Sequence, residues 1–286
     1  MTIQEGTVPR DNQHVAPAEA WDAIAAGYDK FVTSGEELFA LEALALVGLQ
    51  SGDRFLDVAA GSGGLSLPAA RLGAAVTAID WSPAMIERLE NRAREERLVA
   101  VDGRVMDAHD LAFDNESFDV TGSQFGVMLM PDQLEVLCEM ARVTAPQGRV
   151  LVIAYGDPAR FEALQLFLAA LEAVVPGFGG LPDNPPPLEF QVSDAGVMRE
   201  RLSAAGLTDV RVHTGLAERV EFHDGDGCWN WMRSSNPVVG MILQDVSDDE
   251  QATVRQVLDG LIRERAGGST TAVLTAPLTV GWGLKR

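Results

Sequence analysis

From about residue 53 to residue 156 the chain alternates short apolar runs with amphipathic ones, and a glycine-rich turn follows the first apolar run. That rhythm limits the fold more than any other feature. Arg54 to Val58 is a strand-like run ending in Ala59-Ala-Gly-Ser-Gly-Gly64, after which Leu65, Leu67, Ala69, Ala70 and Leu72 suit a helix. Ala75 to Ile79 is a second strand stopped by Asp80. Ser82 and Pro83 then stand where an N-cap and a first helical residue belong. Val101 to Met106 and Phe118 to Phe125 continue the series, and Arg149 to Tyr155 is a further, very apolar strand. Strands alternating with helices predict a parallel, doubly wound sheet. The intervening helix, from about Pro131 to Val143, is expected to turn Leu134, Leu137, Cys138 and Ala141 inward.

Beyond Asp157 the pattern loosens. An amphipathic helix over 161–175 leads into a Pro/Gly-rich segment, 176–187, that cannot be helix or central strand and is read as a surface loop or lid. Its Asn184-Pro-Pro-Pro187 run lies some sixty residues past the end of the fourth strand and is read as part of that stiff loop. A helix over 193–205, strands over 207–214 and 219–222, a mostly helical stretch over 224–266 and a late strand over 270–284 complete the reading. The predicted organisation is an N-terminal helical segment (1–50), a sheet core (51–222 with 270–286) and a helical insertion (223–269) covering an acceptor site.

Composition removes several function classes. The formal charge of −20 lacks the basic footprint of a nucleic-acid reader. The longest apolar stretches are short and interrupted by glutamates, so no membrane span is expected, and the N-terminus does not read as a secretory signal. Two cysteines in no ligand spacing give no disulfide framework and no zinc site, and a cytoplasmic location is expected. No motif calls for a metal.

A glycine loop after a first strand lets backbone N–H groups approach a ligand. Here Asp57 precedes the loop, and the Asp57-Val-Ala-Ala-Gly-Ser-Gly run resembles motif I of class I S-adenosylmethionine-dependent methyltransferases, with Ala59 in place of the first glycine. Three further pieces match in order: Asp107-Ala-His-Asp-Leu-Ala-Phe113, Asp114-Asn-Glu-Ser-Phe-Asp119 and Glu139-Met-Ala-Arg-Val-Thr-Ala-Pro-Gln-Gly-Arg149. The pattern is most similar to the small-molecule enzymes of the ubiquinone/menaquinone methyltransferase type. Trp21-Asp-Ala-Ile-Ala-Ala-Gly-Tyr-Asp29 looks like the helix that closes over the cofactor in that family.

The resemblance implies a seven-stranded Rossmann-like sheet with an antiparallel last strand and an inserted helical cap. It implies that Asp57, Ala59, Gly61 and Gly63 form the cofactor loop and that Asp80 takes the ribose hydroxyls. Trp81, Met85, Asp107 and Ala108 would surround the adenine, Tyr28 would reach the methionine end, and Gln124 and Phe125 would close the fourth strand over it. The expected reaction is methyl transfer to a small, largely apolar metabolite. Tyr155, Trp229 and Trp231 are expected at the acceptor. If the acceptor arrives protonated, His223 and His14 are the foremost base candidates, with His109 and His213 behind them. Two rival readings keep the cofactor: a non-methylating cyclisation or elimination, and a non-catalytic binding protein. A nicotinamide dehydrogenase fits less well, since the Asp57 and Asp107-Ala108 pieces have no role in one. A homodimer is compatible with the sequence, which does not set the oligomeric state.

Overall fold

The computed structural model describes residues 16–182 and 185–286. Its strands are β1 (Arg54–Val58), β2 (Ala75–Asp80), β3 (Val101–Val105), β4 (Phe118–Gln124), β5 (Thr144–Tyr155), β6 (Thr208–His213), β7 (Ala217–Phe222) and β8 (Ala272–Leu284). They pair in the order β3-β2-β1-β4-β5-β8-β6, with β7 joined to β8 off that path. The first five are mutually parallel, whereas β8 runs antiparallel to β5, β6 and β7. Register brings Asp80 level with Val105 and Gln124 level with Ile153, so the carboxyl ends of these strands share one edge. Strand order reverses between β1 and β4, with β2 and β3 added to one side and β4 and β5 to the other, and at such a point an open α/β sheet leaves its ligand crevice.

The seven-strand path is the expected one, but β7 is an addition to it. Strand β8 is long enough to serve two partners: Ala272 to Pro277 pairs with β7, and Leu278 to Leu284 pairs with β5. Two apolar cores result. One surrounds the parallel sheet. The other joins β7 and the first half of β8 to helices α6 (Glu162–Val174), α8 (Gly225–Ser235), α9 (Pro237–Leu243) and α10 (Asp248–Ala266). Tyr155, at the end of β5, packs against both cores.

Helix α1 (Ala18–Phe31) lies over the carboxyl edge, α2 (Thr33–Val47) begins there and ends near the opposite edge, where Arg149 donates to Val47 O and Gly48 O, and α3 (Ser66–Arg71) and α4 (Pro83–Glu95) follow β1 and β2. Ser82 caps α4 as its sequence suggests, its Oγ accepting from the Met85 N–H. On α5 (Gln133–Val143) the buried face runs through Val136, Leu137, Met140 and Ala141. Cys138 is exposed, which corrects the expectation that it is a core residue. It lies two positions past Val136, about 200° around the helix, and so falls off the face that Val136, Leu137, Met140 and Ala141 share. After α7 (Ala195–Ala204) the chain enters β6. No helix among the described residues is long and apolar enough to cross a membrane.

Candidate active site

The glycine loop leaves β1 in left-handed backbone, with φ of 57° at Ala59, 53° at Gly61 and 101° at Gly63. An alanine at the first of these is a strained choice. The turn is tied to β2: Ala60 N–H donates to Ile79 O (2.9 Å) and Gly61 N–H to Asp80 Oδ2 (2.9 Å). The other Asp80 oxygen accepts from Ser82 N–H (2.9 Å), and burial raises this carboxyl above the usual range. Asp80, Ala59 and Gly61 all line a cavity of about 600 Å³.

Two motif I residues do not border that cavity. Asp57 is buried beneath the loop, where Ser66 Oγ donates to its Oδ2 (2.6 Å) and Oδ1 has no partner among the described residues. Burial pushes its carboxyl up to about 7, against the pull of the Ser66 hydrogen bond. A Cβ on Gly63 would stand 3.1 Å from Leu67 Cγ and 3.3 Å from Leu89 Cγ, so this glycine serves close packing of the loop on α3 and α4.

At the end of the cavity beside β2 and β3, Trp81, Met85, Met106, Asp107 and Ala108 line a mostly apolar slot. His109 is also in the lining, and its Nδ1 lies 2.8 Å from Asp107 Oδ1. The segment after Asp107 is clamped from α5: Arg142 donates to Leu111 O (2.7 Å) and Phe113 O (2.9 Å), while Glu139 accepts from Leu111 N–H (3.0 Å). The Glu139/Arg142 signature therefore shapes the slot from behind. Helix α1 covers this end, held by Asp22 Oδ1, which accepts from Ser82 Oγ (2.5 Å) and Ala84 N–H (3.1 Å). Trp21 and Tyr28 project from it into the cavity.

Two glutamates that the sequence did not single out stand in and behind the middle of the cavity wall, Glu36 in the lining and Glu218 behind Tyr155. Tyr28 Oη donates to Glu36 Oε1 (2.5 Å), and Glu36 lines the cavity although only 3% exposed. Gln124 and Phe125 end β4, and Phe125 adopts φ of 58° to stack on Tyr155, ring centroids 4.3 Å apart. Tyr155 in turn packs on Phe161 at 4.7 Å, and its hydroxyl donates to Glu218 Oε2 on β7 (3.0 Å). Burial pushes Glu36 up to about 8 and Glu218 up to about 7. Neither glutamate carries a local sequence signal: Glu36 adjoins Glu37 on one helix, and Glu37 is instead bonded to Arg71 and Arg92.

Past this aromatic wall the cavity continues between Leu164 and Phe167 of α6, Phe178 and Leu181 of the Pro/Gly-rich loop, and Val239 and Ile242 of α9. Of the predicted acceptor residues only Tyr155 lines it. Trp229 and Trp231 are each 2% exposed and lie in the second core, Trp229 against Phe167 (5.8 Å) and Trp231 between Phe161 and Phe222 (6.1 Å each). Helix α8 sits between α1 and α10, so its largest side chains are drawn into helix packing. His223 is exposed in the turn after β7 and outside the cavity, so it is not placed to act as a base there. His213 lies within β6, also outside the cavity lining. His14 and Asn184 lie outside the described residues.

Residues 56–152 match a family model described as "Methyltransferase domain". An uncharacterized protein of Mycobacterium tuberculosis is 39% identical over 112 residues, which span 39% of this chain and 40% of that protein's length. A demethylmenaquinone methyltransferase of Mycobacterium sp. (strain KMS) is 31% identical over 205 residues, covering 68% of this chain and 86% of the relative. Among solved structures, the YcgJ protein of Bacillus subtilis superposes with a TM-score of 0.56 at 17% identity, covering 87% of this chain and 98% of its own, a likeness of fold. On these matches the chain belongs to the class I S-adenosylmethionine-dependent methyltransferases.

Proposed function

We propose that the protein binds S-adenosylmethionine in the slot and loop half of the cavity and transfers its methyl group to a small, largely apolar metabolite in the half lined by α6, the Pro/Gly-rich loop and α9. The observation that carries this is the continuity of the two halves in one cavity, with the Phe125–Tyr155–Phe161 wall at their junction. The residues fit the cofactor. Asp80 supplies a buried carboxylate for the ribose hydroxyls, Trp81 and Met85 line the mostly apolar slot, and Gln124 lines the cavity with an amide oxygen that has no partner among the described residues. When bound, the cofactor brings a methyl group already activated by its sulfonium. The chain's own task is then to hold the acceptor in line and keep water out.

The lining also restricts the acceptor. Its charged side chains include Glu36, Asp80, Asp107 and Glu189, and among the described lining residues there is no lysine or arginine. An acceptor bearing phosphate or carboxylate would be buried beside like charge with no cation to pair it. A neutral, flat or branched apolar molecule suits the aromatic wall and the aliphatic side chains beyond it.

The test is to incubate the purified protein with methyl-labelled S-adenosylmethionine and a metabolite extract, then identify the labelled product. An uncharged product heavier by one methylene supports the reading. A converted product with no gain in mass replaces methyl transfer by cyclisation or elimination, and label confined to intact cofactor leaves a binding protein.

A further inference from the structure

Four side chains from four elements meet beside the glycine loop: Tyr28 of α1, Glu36 of α2, Tyr155 of β5 and Glu218 of β7. Each tyrosine hydroxyl donates to one of the glutamates. The second Glu36 oxygen, Oε2, lies against Gly64, and a Cβ there would collide with it and with Gln124 Nε2. A glycine at 64 is thus what admits the carboxylate to the loop. Gln124 is 8% exposed, lines the same cavity, and its Oε1 has no hydrogen-bond partner among the described residues.

The charge around Glu36 is one-sided. The groups acting on it are Tyr28, Glu218, Arg92 and Asp57, with Tyr155 close enough to feel its field and Asp80 close enough to act on Tyr28. Arg92 is the one cation among them, and it is already bonded to Asp29 and Glu37. A buried carboxyl in the cavity lining, beside an amide whose oxygen lacks a partner among the described residues, calls for N–H donors and positive charge. The amino-acid end of the proposed cofactor carries both, as a primary ammonium with three donors.

We propose that Glu36 and Gln124 form the seat of that ammonium, and that Glu36 releases a proton to solvent when the ammonium is bound. This rests on the reading of the cavity as the cofactor site. Burial holds the Glu36 carboxyl at about 8, opposed by the Tyr28 hydrogen bond, and so protonated at neutral pH. Glu218 nearby disfavours ionisation of both acids together. An ammonium at hydrogen-bond distance favours the charged form, so the proton leaves as the ligand enters. Affinity for an ammonium-bearing ligand therefore rises between pH 6 and the Glu36 value of about 8.

Titration calorimetry of the full chain at pH 7, in buffers of different ionisation enthalpy, tests this with two probes. S-adenosylhomocysteine keeps the ammonium and lacks the sulfonium charge; 5′-methylthioadenosine lacks the whole amino-acid end. The expected result is release of between half a proton and one proton with the first probe and none with the second. Glu36→Gln should weaken S-adenosylhomocysteine at least tenfold and abolish the release. Its affinity for methylthioadenosine should stay within twofold, which also certifies its fold. Gln124→Leu should weaken S-adenosylhomocysteine while the release persists. Proton release that survives in Glu36→Gln, or equal weakening of both probes by that change, would overturn the assignment. Wild-type protein that binds both probes without releasing a proton overturns it too and leaves the cofactor reading standing. Wild-type protein that binds neither overturns the cofactor reading and this inference with it.

Discussion

Asp80 uses both carboxylate oxygens on backbone N–H groups, those of Gly61 and Ser82, so it staples the loop that it is expected to share with a ribose. A carboxylate has about four acceptor sites, and two remain for hydroxyl donors. Asp80→Ala should weaken S-adenosylhomocysteine binding by ~1.5–4 kcal/mol, roughly tenfold to several hundredfold. Thermal stability should fall by ~1–3 kcal/mol as the two N–H groups lose their acceptor. Calorimetry and a melting curve separate the parts: lost stability with unchanged affinity would leave Asp80 as a staple alone. The position of this acid at the end of a strand was legible in the sequence, as was the loop before it. Its prior engagement by Gly61 was not, because that bond depends on the left-handed turn. Glu36 was illegible for another reason. It and Glu37 are the same residue type on one helix, and only the placement of α2 against the sheet decides which is buried.

At the scale of elements, alternation and capping residues located most strands and helices of the parallel half to within a few residues, because turn residues bound them, although β5 begins at Thr144 and not at Arg149 and the edge strand β3, Val-Asp-Gly-Arg-Val, is mostly polar and exposed. The antiparallel half was harder. The sequence suggested strands over 207–214 and 219–222, but nothing local indicated that β8 would bend its pairing from β7 to β5 midway. That division brings Glu218 beneath Tyr155. The insertion was visible as a helical stretch, while the face of α8 that meets the cavity was not, because α1 and α10 both pack against this helix. Substitutions should separate the two roles. Trp229→Ala removes a side chain 2% exposed in the second core and should cost ~3–5 kcal/mol of stability, read from denaturant midpoints. Ile242→Ala removes part of the cavity wall and should raise the acceptor's KM about tenfold, with cofactor affinity within about twofold. An unchanged KM in Ile242→Ala would move the acceptor away from α9.

The whole molecule carries a formal charge of −20, yet at least three of its acids are buried: Asp57, Glu36 and Glu218, raised by burial to about 7, 8 and 7. In the unfolded chain such groups ionise near pH 4. Between that pH and their folded values the native state holds protons that the unfolded state has lost, so stability declines as pH rises. Each group contributes at most ~1.4 kcal/mol per pH unit, and mutual repulsion keeps the three from losing their protons together. Repulsion among the surface acids works in the same direction. Asp119 and Glu139 act oppositely at the acid end: hydrogen bonds from Arg54 and Arg142 hold them below the usual range, and their contribution is lost as pH falls through those lowered values. Stability of the unliganded protein should therefore peak near ~pH 5 and fall toward pH 8. Urea midpoints at pH 5, 6, 7 and 8 measure the slope. The Glu36→Gln/Glu218→Gln double variant should flatten it, because its amides have no proton to lose, and at pH 8 should be the more stable protein. A wild-type midpoint that climbs steadily to pH 8 would mean that these carboxyls ionise in place, with water or a cation reaching them inside the fold.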